Sequence, residues 1–417
     1  MSNKHLPTDP YKGVRDFYPE DMAIQRYMFD VWSMTAESFG FERYDASVLE
    51  PSALYKAKGA QNEEMVNDQT YTFNDRGDRE VTLRPEMTPT VARMIAKKQR
   101  ELSFPVRWYS IPNLFRYERT QRGRLREHWQ LNCDIFGSND VSSDVELIAL
   151  AYQIFINFGA DESMFEIRVN DRALMHRMYT ALGVQEDMIP AITRLNDRKQ
   201  KISAAEYKES LIEITKDEVL AEQVHMMLQH SDEQSDVMIG LHELGIENVV
   251  FDKSLARGFD YYTGTIFEIF DTDPENNRAM MGGGRYDNLT GLFSDEAVPG
   301  VGFGFGDVTL RNFLESHNLL TADITAPTLM VIPTDVSLNI EGQKIAQQFR
   351  RAGISVATDI GTKKFQKKIK SASDALVEYV LVLGDDELAS GTFTVKNLAD
   401  GNEVSGTIED LVAKISA

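Results

Sequence analysis

The residues of this chain best suited to bind an anion lie in an arginine-rich segment between two strand-like stretches. Leu114 to Arg119 reads as a strand and Trp129 to Gly137 as a return strand, and between them lie Arg116, Arg119, Arg122, Arg124 and Arg126. A guanidinium on a rigid strand can donate two parallel hydrogen bonds to a phosphate or a carboxylate, and arginines on a loop can reach a larger polyanion. A hairpin with charged edges is the alternative, which the density of arginine makes less favoured.

A second candidate segment combines a cation with glycine and tyrosine. Leu255 to Gly264 contains Arg257, Gly258, Tyr261 and Tyr262 ahead of an apolar stretch that predicts a strand. A glycine here lets the backbone turn sharply or approach a ligand closely. An ordinary hairpin turn would need the same glycine, so both interpretations stay open at this point.

Glycine-rich strands and a short polar motif supply further candidates. From Gly300 to Gly306 every second residue is glycine, which removes the side chains from one strand face and predicts a flat floor for a planar ligand. Close packing of a sheet against a helix is the alternative, and a Walker A loop is excluded because no Gly-Lys-Ser/Thr ending follows. Glu86 and Thr88, two residues apart after a strand, could hold an ammonium group, or Thr88 could simply cap a helix.

The surrounding pattern predicts the elements that must position these residues. Helices are predicted over Met22–Phe39 and Ser143–Asn157, and strands over the segments Glu80–Leu83, Val106–Ile111 and Leu131–Phe136. A polar, helix-prone block over 172–246 interrupts strand-like sequence that resumes at Val249, so we expect a helical insertion within an α+β domain built on an antiparallel sheet, covering 1–324. Residues 325–417 predict a second, α/β domain with mostly parallel strands.

Composition restricts the class of protein. The 417 residues carry a net charge of −21 and a single cysteine, which excludes an internal disulfide and favours a cytoplasmic location. No apolar run is long enough to span a membrane, and no signal-peptide core is recognised at the N-terminus. Against the acidic average stands a basic cluster of Lys363, Lys364, Lys367, Lys368 and Lys370, which is either a solvated surface or a binding site for a polyanion.

Taken together, these motifs resemble the class II aminoacyl-tRNA synthetases and, among them, the histidyl-tRNA synthetase family. Lys12 to Phe17 is similar to the start of that family, and Gly40 to Pro51 resembles motif 1, the element that builds the class II dimer. Phe115 to Glu118 with Arg124 resembles motif 2. The segments 257–262 and 282–287 resemble the two histidine-specific signatures of the family. Residues 325–417 resemble its anticodon-binding domain.

The resemblance implies an enzyme that activates histidine with ATP to histidyl-adenylate and transfers it to the 3′ end of tRNA(His). Such catalysis depends on positioning and charge neutralisation and needs no covalent enzyme intermediate. Magnesium is expected to bind through the ATP phosphates, with no dedicated protein metal site. The implied partners are tRNA(His), histidine, ATP and a second copy of the chain in a homodimer, with no membrane.

Residue roles are implied by matching motifs. Arg257 and Arg116 are the expected catalytic residues, which neutralise the α-phosphate from two sides. Histidine is expected to bind through its amino group and its imidazole to Glu86, Thr88, Gln130, Asp134, Tyr262 and Tyr286. ATP is expected to bind to Arg116, Glu118, Arg124, His128, Gly302 and Gly304.

Three departures from the family pattern concern the substrate sites. Asp134 stands where the family usually has glutamate, and His128 where motif 2 usually offers a phenylalanine to stack on adenine. Motif 3 usually ends Gly-Leu-Glu-Arg, but residues 306–309 read Gly-Asp-Val-Thr, so the arginine that covers adenine is replaced by Thr309. Arg311 is a candidate substitute, with a surface position as the alternative, and Trp129 is the nearest large aromatic residue.

Two rival functions share parts of the pattern. Catalytically silent relatives serve as regulatory subunits in histidine biosynthesis or as sensors of uncharged tRNA, and the altered motif 3 fits them. The segment 257–262 and the C-terminal domain argue against that alternative. Prolyl, threonyl or glycyl specificity is disfavoured because those enzymes lack the Arg-Gly-Phe-Asp-Tyr-Tyr signature found here.

Overall fold

The chain divides into two compact units, Met1–Ala322 and Asp323–Ala417. In the computed structural model of the chain, the described residues are 6–57, 69–118, 123–197, 199, 202–229, 235–255, 261–276, 278–321 and 326–416. Each unit has its own hydrophobic core within these ranges. No described helix is both long enough and apolar enough to cross a membrane.

The elements of the first unit follow in chain order. Its strands are β1 (Glu42–Arg43), β2 (Leu49–Pro51), β3 (Tyr71–Asn74), β4 (Glu80–Leu83), β5 (Val106–Ser110), β6 (Asn113–Phe115), β7 (Glu127–Phe136), β8 (Phe165–Asp171), β9 (Val249–Phe251), β10 (Thr265–Asp271), β11 (Ala279–Arg285) and β12 (Gly300–Gly306). Its helices are α1 (Pro19–Ser38), α2 (Ala53–Lys56), α3 (Thr88–Lys98), α4 (Val141–Asn157), α5 (Arg172–Ala181), α6 (Ile189–Asp197), α7 (Ala204–Thr215), α8 (Glu218–Gln229), α9 (Asp236–Glu243) and α10 (Asp307–Ser316).

A nine-stranded sheet forms the centre of the first unit, in the order β1-β5-β7-β12-β11-β10-β8-β9, with β6 paired to β7. The pairs from β5 through to β8 are antiparallel, and only the edge pairs β1–β5 and β8–β9 are parallel. This confirms the antiparallel sheet predicted for the catalytic domain. The strands β2, β4 and β3 form a separate three-stranded antiparallel sheet.

Helices α1 and α4 bury their apolar faces on one side of the large sheet. On α1 the buried residues Met28, Val31, Trp32 and Thr35 recur at helical spacing, so one stripe faces the core. The helix begins at Pro19, three residues before the predicted start, because proline is well suited to a first helical position and two acidic residues follow it. Packing on one face leaves the opposite face of the sheet for polar side chains.

The helical block has a hydrophobic core of its own, but its last helix does not share that core. Buried residues from α5 to α8 form one cluster, which contains Met175, Tyr179, Val184, Ile189, Ile192, Leu195, Tyr207, Leu211, Ala221, Val224 and Leu228. On α9, by contrast, Val237, Met238 and Leu241 belong to the core of the large sheet. The structure therefore differs from the predicted 172–246 block in that its C-terminal helix packs with the sheet.

The second unit is an α/β structure built on a five-stranded sheet in the order β14-β13-β15-β16-β17. Its strands are β13 (Leu329–Pro333), β14 (Val356–Thr358), β15 (Tyr379–Leu383), β16 (Phe393–Asn397) and β17 (Glu403–Gly406), and its helices are α11 (Asn339–Arg351), α12 (Phe365–Asp374), α13 (Asp385–Ser390) and α14 (Ile408–Ile415). The first three strands are parallel, whereas β16 and β17 continue antiparallel. The predicted mostly parallel sheet is therefore mixed, because the hairpin of β16 and β17 joins it antiparallel to β15.

Candidate active site

The alternation of side chains along β7 gives one face of the sheet its polar character. Leu131, Cys133 and Ile135 are buried in the core with α1 and α4. Since successive strand residues point to opposite faces, the other face carries His128, Gln130, Asn132 and Asp134. Three of these four residues were predicted to bind substrate. Asn132, the fourth residue, has no predicted role, and its side-chain amide donates to the Gln130 carbonyl oxygen over 3.0 Å.

Asp134 is a buried carboxylate with one oxygen bound and one without a protein partner. The Tyr286 hydroxyl donates a hydrogen bond to Asp134 Oδ1, and both side chains are almost completely buried. Asp134 Oδ2 is also buried and has no hydrogen-bond partner among the residues that the structure describes. Burial raises the pKa of Asp134 to about 7, while the Tyr286 hydroxyl acts in the opposite direction. The site therefore presents an acceptor to an N–H group of a ligand.

A cluster of tyrosine rings joins this carboxylate to Glu86. The Tyr261 and Tyr262 ring centroids lie 4.8 Å apart, and they lie 5.8 and 6.4 Å respectively from the Tyr286 centroid. The Tyr261 hydroxyl donates to Glu86 Oε2 over 3.2 Å, and Glu86 is buried. Tyr261 was not predicted as a site residue, but its position beside Tyr262 in the signature was a sufficient signal.

Thr88 is the first residue of α3, and Met87 occupies the cap position before it. The alternative that Thr88 caps the helix is therefore not what the structure shows. The predicted pairing of the Glu86 carboxylate with the Thr88 hydroxyl stays a prediction.

The glycine strand β12 pairs antiparallel with β7 in the sheet, with Gly302 opposite Asp134 and Gly304 opposite Asn132. A methyl group at Gly302 would clash with Asp134 Oδ1 and lie 2.7 Å from the Tyr286 hydroxyl, and one at Gly304 would lie 2.7 Å from the Gln130 carboxamide carbon. These glycines were assigned to ATP in the sequence analysis. The structure places them beside Asp134, Tyr286 and Gln130, which were assigned to histidine.

The other residues predicted to hold ATP lie near the start of β7, and they are Arg116, Glu118, Arg124 and His128. Arg116 donates from Nε to the Pro85 carbonyl oxygen over 2.8 Å, and Arg124 Nη1 lies 3.8 Å from Glu118 Oε2. Burial and the positive charges of Arg116 and Arg15 lower the pKa of His128 to about 3, so this imidazole is neutral at any ordinary working pH. The guanidinium groups of Arg116 and Arg15 thus lie near enough to the neutral His128 ring to affect its pKa.

Neither Thr309 nor Arg311 supplies the cation that the family pattern has at the end of motif 3. Thr309 is uncharged, and Arg311 is engaged by carboxylates. The Thr309 hydroxyl donates to the Met280 and Gly306 carbonyl oxygens over 2.8 and 3.0 Å. Arg311 donates to Asp21 Oδ1 over 3.2 Å and to Glu315 Oε1 over 2.8 Å. These ion pairs favour the surface alternative for Arg311. Trp129 lies on the face of β7 opposite to His128, since the two residues are adjacent in a strand.

Part of the predicted machinery lies outside the described residues. Arg257, the arginine expected to act with Arg116, falls in the segment 256–260, and the arginines Arg119 and Arg122 fall in 119–122. Their predicted roles stay predictions.

Comparison with solved structures defines the class of this fold. A crystal structure of histidyl-tRNA synthetase from Nostoc sp. PCC 7120 matches with a TM-score of 0.79, covering 99% of both chains at 24% identity. A crystal structure described as an ATP phosphoribosyltransferase regulatory subunit/histidyl-tRNA synthetase from Bacillus halodurans C matches with a TM-score of 0.72 at 20% identity, covering 91% of this chain and 99% of that one. Both likenesses concern the fold alone. The fold is that of a class II aminoacyl-tRNA synthetase.

Sequence comparison identifies the family. The family model described as Histidyl-tRNA synthetase matches residues 13–307, and the model described as Anticodon binding domain matches residues 328–417. The chain is 41% identical to the histidine–tRNA ligase of Leptospira biflexa, with 100% of this chain and 99% of the relative covered. The chain belongs to the histidyl-tRNA synthetase family, and its activity is the ligation of histidine to tRNA. The comparisons lend no support to the regulatory alternative.

Proposed function

We propose that the polar face of β7 is where histidine is activated, and that Asp134 and Tyr286 recognise the imidazole together with Tyr262. The observation that carries this assignment is Asp134 Oδ2, a buried acceptor that the described protein residues leave without a partner. An imidazole N–H would supply the missing donor. A buried polar group that only the correct ligand satisfies gives strong selection against ligands that lack the donor.

We further propose that the histidine amino group binds Glu86, Thr88 and Gln130. Glu86 is held by the Tyr261 hydroxyl, so its buried carboxylate has a defined position next to the tyrosine cluster. Gln130 lies two residues from Asn132 and four from Asp134 on the same strand face. In this proposal Gly302 and Gly304 leave space for the histidine-binding side chains and do not touch ATP.

In the reaction we propose, a histidine carboxylate oxygen bonds to the α-phosphorus of ATP as the bond to pyrophosphate breaks. A terminal ribose hydroxyl of tRNA(His) then attacks the carbonyl carbon of histidyl-adenylate, and AMP leaves. We assign Arg116 to one side of the α-phosphate and Arg257 to the other, both by resemblance. Glu118, Arg124 and His128 complete the ATP site. The arginines neutralise developing charge, which is the main requirement of phosphoryl and nucleotidyl transfer.

Magnesium enters this proposal bound to the ATP phosphates. Within the described ranges no group of His, Cys, Asp and Glu residues has the arrangement of a metal site. Mg²⁺ commonly keeps several waters and binds substrate phosphates with only one or two carboxylates, so the residues present are compatible with that mode. Glu118 is the half-buried carboxylate in the proposed ATP site.

We propose that the chain works as a cytoplasmic homodimer in which the segment 40–51 contributes to the interface. The edge strand β1 and the partly exposed Leu49 of β2 lie in this segment. The separate core of α5 to α8 supports a helical insertion within the 1–324 catalytic domain, for which we propose contact with the tRNA acceptor stem. Residues 325–417 are assigned to the anticodon.

The test is ATP–pyrophosphate exchange with each amino acid supplied separately. We expect exchange with histidine alone, because the other amino acids lack an imidazole to satisfy Asp134. Exchange with a different amino acid would refute the histidine assignment. A folded protein that supports no exchange with any amino acid would instead favour the silent, tRNA-sensing alternative.

A further inference from the structure

The segment 282–287 contains two charged residues, Arg285 and Asp287, that have no role in the proposed histidine site. Arg285 is the last residue of β11, immediately before Tyr286, and it is buried. Its side chain reaches Asp144 on α4. Since α4 packs on the core face of the sheet, Arg285 acts from behind the polar face to which the Tyr286 hydroxyl points.

All three nitrogens of the Arg285 guanidinium donate hydrogen bonds. Nε donates to both carboxylate oxygens of Asp144 over 3.1 Å, and Nη2 donates to the same carboxylate. Nη1 donates to the Ser138 carbonyl oxygen over 2.9 Å and to Asp287 Oδ1 over 3.3 Å. A buried cation with several charge-assisted hydrogen bonds has one well-defined position, so the start of α4 fixes the end of β11.

Asp287 and Thr263 join the end of β11 to the segment that carries Tyr262. Asp287 Oδ2 accepts a hydrogen bond from the Thr263 hydroxyl over 2.8 Å, and the same hydroxyl oxygen accepts the Asp287 backbone N–H over 3.1 Å. The Thr263 backbone N–H donates to the Arg285 carbonyl oxygen over 2.7 Å. These three hydrogen bonds therefore connect Arg285 and Asp287 to the residue that directly follows Tyr262.

The connection lies directly beside two tyrosines of the proposed imidazole site. Tyr286 lies between Arg285 and Asp287 in the chain, and Tyr262 precedes Thr263. Both tyrosines are buried, and their ring centroids lie 6.4 Å apart. A shift of one segment relative to the other would change the distance between the two rings.

We propose that Arg285, Asp287 and Thr263 are positioning residues for histidine recognition, which set the spacing of Tyr262 and Tyr286 without touching the substrate. The inference rests on the proposed function, because it assumes that these tyrosines bind the imidazole. A displacement of about 1 Å is enough to weaken the contacts of a ligand, so residues behind a site contribute to its affinity. Binding of ATP, which is assigned to other side chains, does not depend on this spacing.

Isothermal titration calorimetry with histidine and with ATP tests the proposal, because it measures the two substrates separately. Thr263→Val keeps the shape of the side chain but removes the hydroxyl. We expect it to weaken histidine binding about fivefold or more, in line with the usual contribution of a hydrogen bond, and to leave ATP binding unchanged. Thr263→Ser keeps the hydroxyl, so it should bind histidine as the wild type does.

Asp287→Ala removes the acceptor for the same hydroxyl, and Asp287 is only half-buried, so the fold should tolerate the change. We expect the same selective loss of histidine binding. The double variant of Thr263→Val and Asp287→Ala should lose less than the product of the two single effects, because both substitutions break the same hydrogen bond. A general loss of stability would instead weaken the binding of ATP as well as of histidine.

Thr215→Val is the matched control. The Thr215 hydroxyl is also buried, and it donates to the Leu211 carbonyl oxygen over 2.9 Å in the separate core of the helical block. This variant should lower the Tm without changing histidine binding. The proposal is overturned if Thr263→Val and Asp287→Ala bind histidine normally, if their ATP binding falls equally, if their effects multiply in the double variant, or if Thr215→Val loses histidine binding to the same extent.

Failure of the proposed function is a separate result. A wild type that binds histidine but supports no histidine-dependent exchange, while both variants of the network lose histidine binding, would refute the function alone. A wild type that binds no histidine would overturn both the function and the positioning role.

Discussion

At the scale of single residues, the proposal that Asp134 recognises the imidazole of histidine can be tested by substitution. Replacing it with asparagine keeps an acceptor for the Tyr286 hydroxyl but removes the charge that would face the imidazole N–H. We expect Asp134→Asn to raise the KM for histidine at least about tenfold, because hydrogen bonds to charged groups contribute about 1.5–3 kcal/mol. Pyrophosphate-exchange kinetics would measure this, with the KM for ATP as the internal control. An unchanged KM for histidine would show that the imidazole is read elsewhere.

The titration of Asp134 predicts a pH dependence. Its pKa is raised to about 7 because the buried carboxyl is desolvated, so below pH 7 the neutral acid predominates in the free enzyme. If histidine binds the ionised form, kcat/KM for histidine falls as the pH is lowered through 7, by up to about tenfold per unit. Asp134→Asn should retain only the decline caused by the substrate imidazole. Identical pH profiles for the two proteins would contradict the assignment.

At the scale of elements, strand β12 needs glycine at Gly302, where it pairs with Asp134 of β7. A methyl group at Gly302 would meet both Asp134 and Tyr286, whereas one at Gly306 would lie 3.5 Å from Thr309 Oγ1, an ordinary contact. We expect Gly302→Ala to raise the KM for histidine or to lower the Tm, since overpacking typically costs about 1–3 kcal/mol.

Gly306→Ala is the matched control from the same strand, and its φ of −78° suits alanine. Both variants would be compared by thermal unfolding and by exchange kinetics. Equal behaviour of the two would show that Gly302 does not set the position of the Asp134–Tyr286 pair.

At the scale of the whole molecule, an acidic protein must bind an acidic nucleic acid through local clusters of positive charge. On and before α12, Lys363, Lys364, Lys367 and Lys370 are exposed. Lys368, predicted to belong to this cluster, is instead buried, with Nζ 3.5 Å from Asp359 Oδ1. Lys368 is therefore held inside the second unit by this ion pair and is not available to the tRNA.

Replacing the four exposed lysines with alanine should raise the KM for tRNA and reduce its salt dependence, since each phosphate contact contributes to that slope. Histidine-dependent exchange should not change, because it needs no tRNA. Lys396→Ala, which removes a lysine already paired with Glu403 in the same unit, is the control. Normal charging by the four-lysine variant at physiological salt would refute the tRNA-binding role of this cluster.

Much of this protein could be derived from the sequence, because the deciding signals are local. Strand β4 begins and ends at the predicted residues, Glu80 and Leu83. The arginine, tyrosine and glycine motifs pointed to a class II synthetase for histidine, and the family comparisons confirm it. Such motifs can be read in sequence because each is a short segment whose residues act together.

Only the tertiary structure decided which distant residues meet. Tyr286 binds an aspartate 152 residues away, and Arg15 reaches Asp307 across 292 residues. The glycines of β12 lie beside Asp134 and Gln130 because of the strand register, which no local pattern specifies. Lys368 and Arg311 look in sequence like their exposed neighbours, yet both are engaged by carboxylates. Burial and ion pairing arise from contacts between elements, so they exist only once the chain has folded.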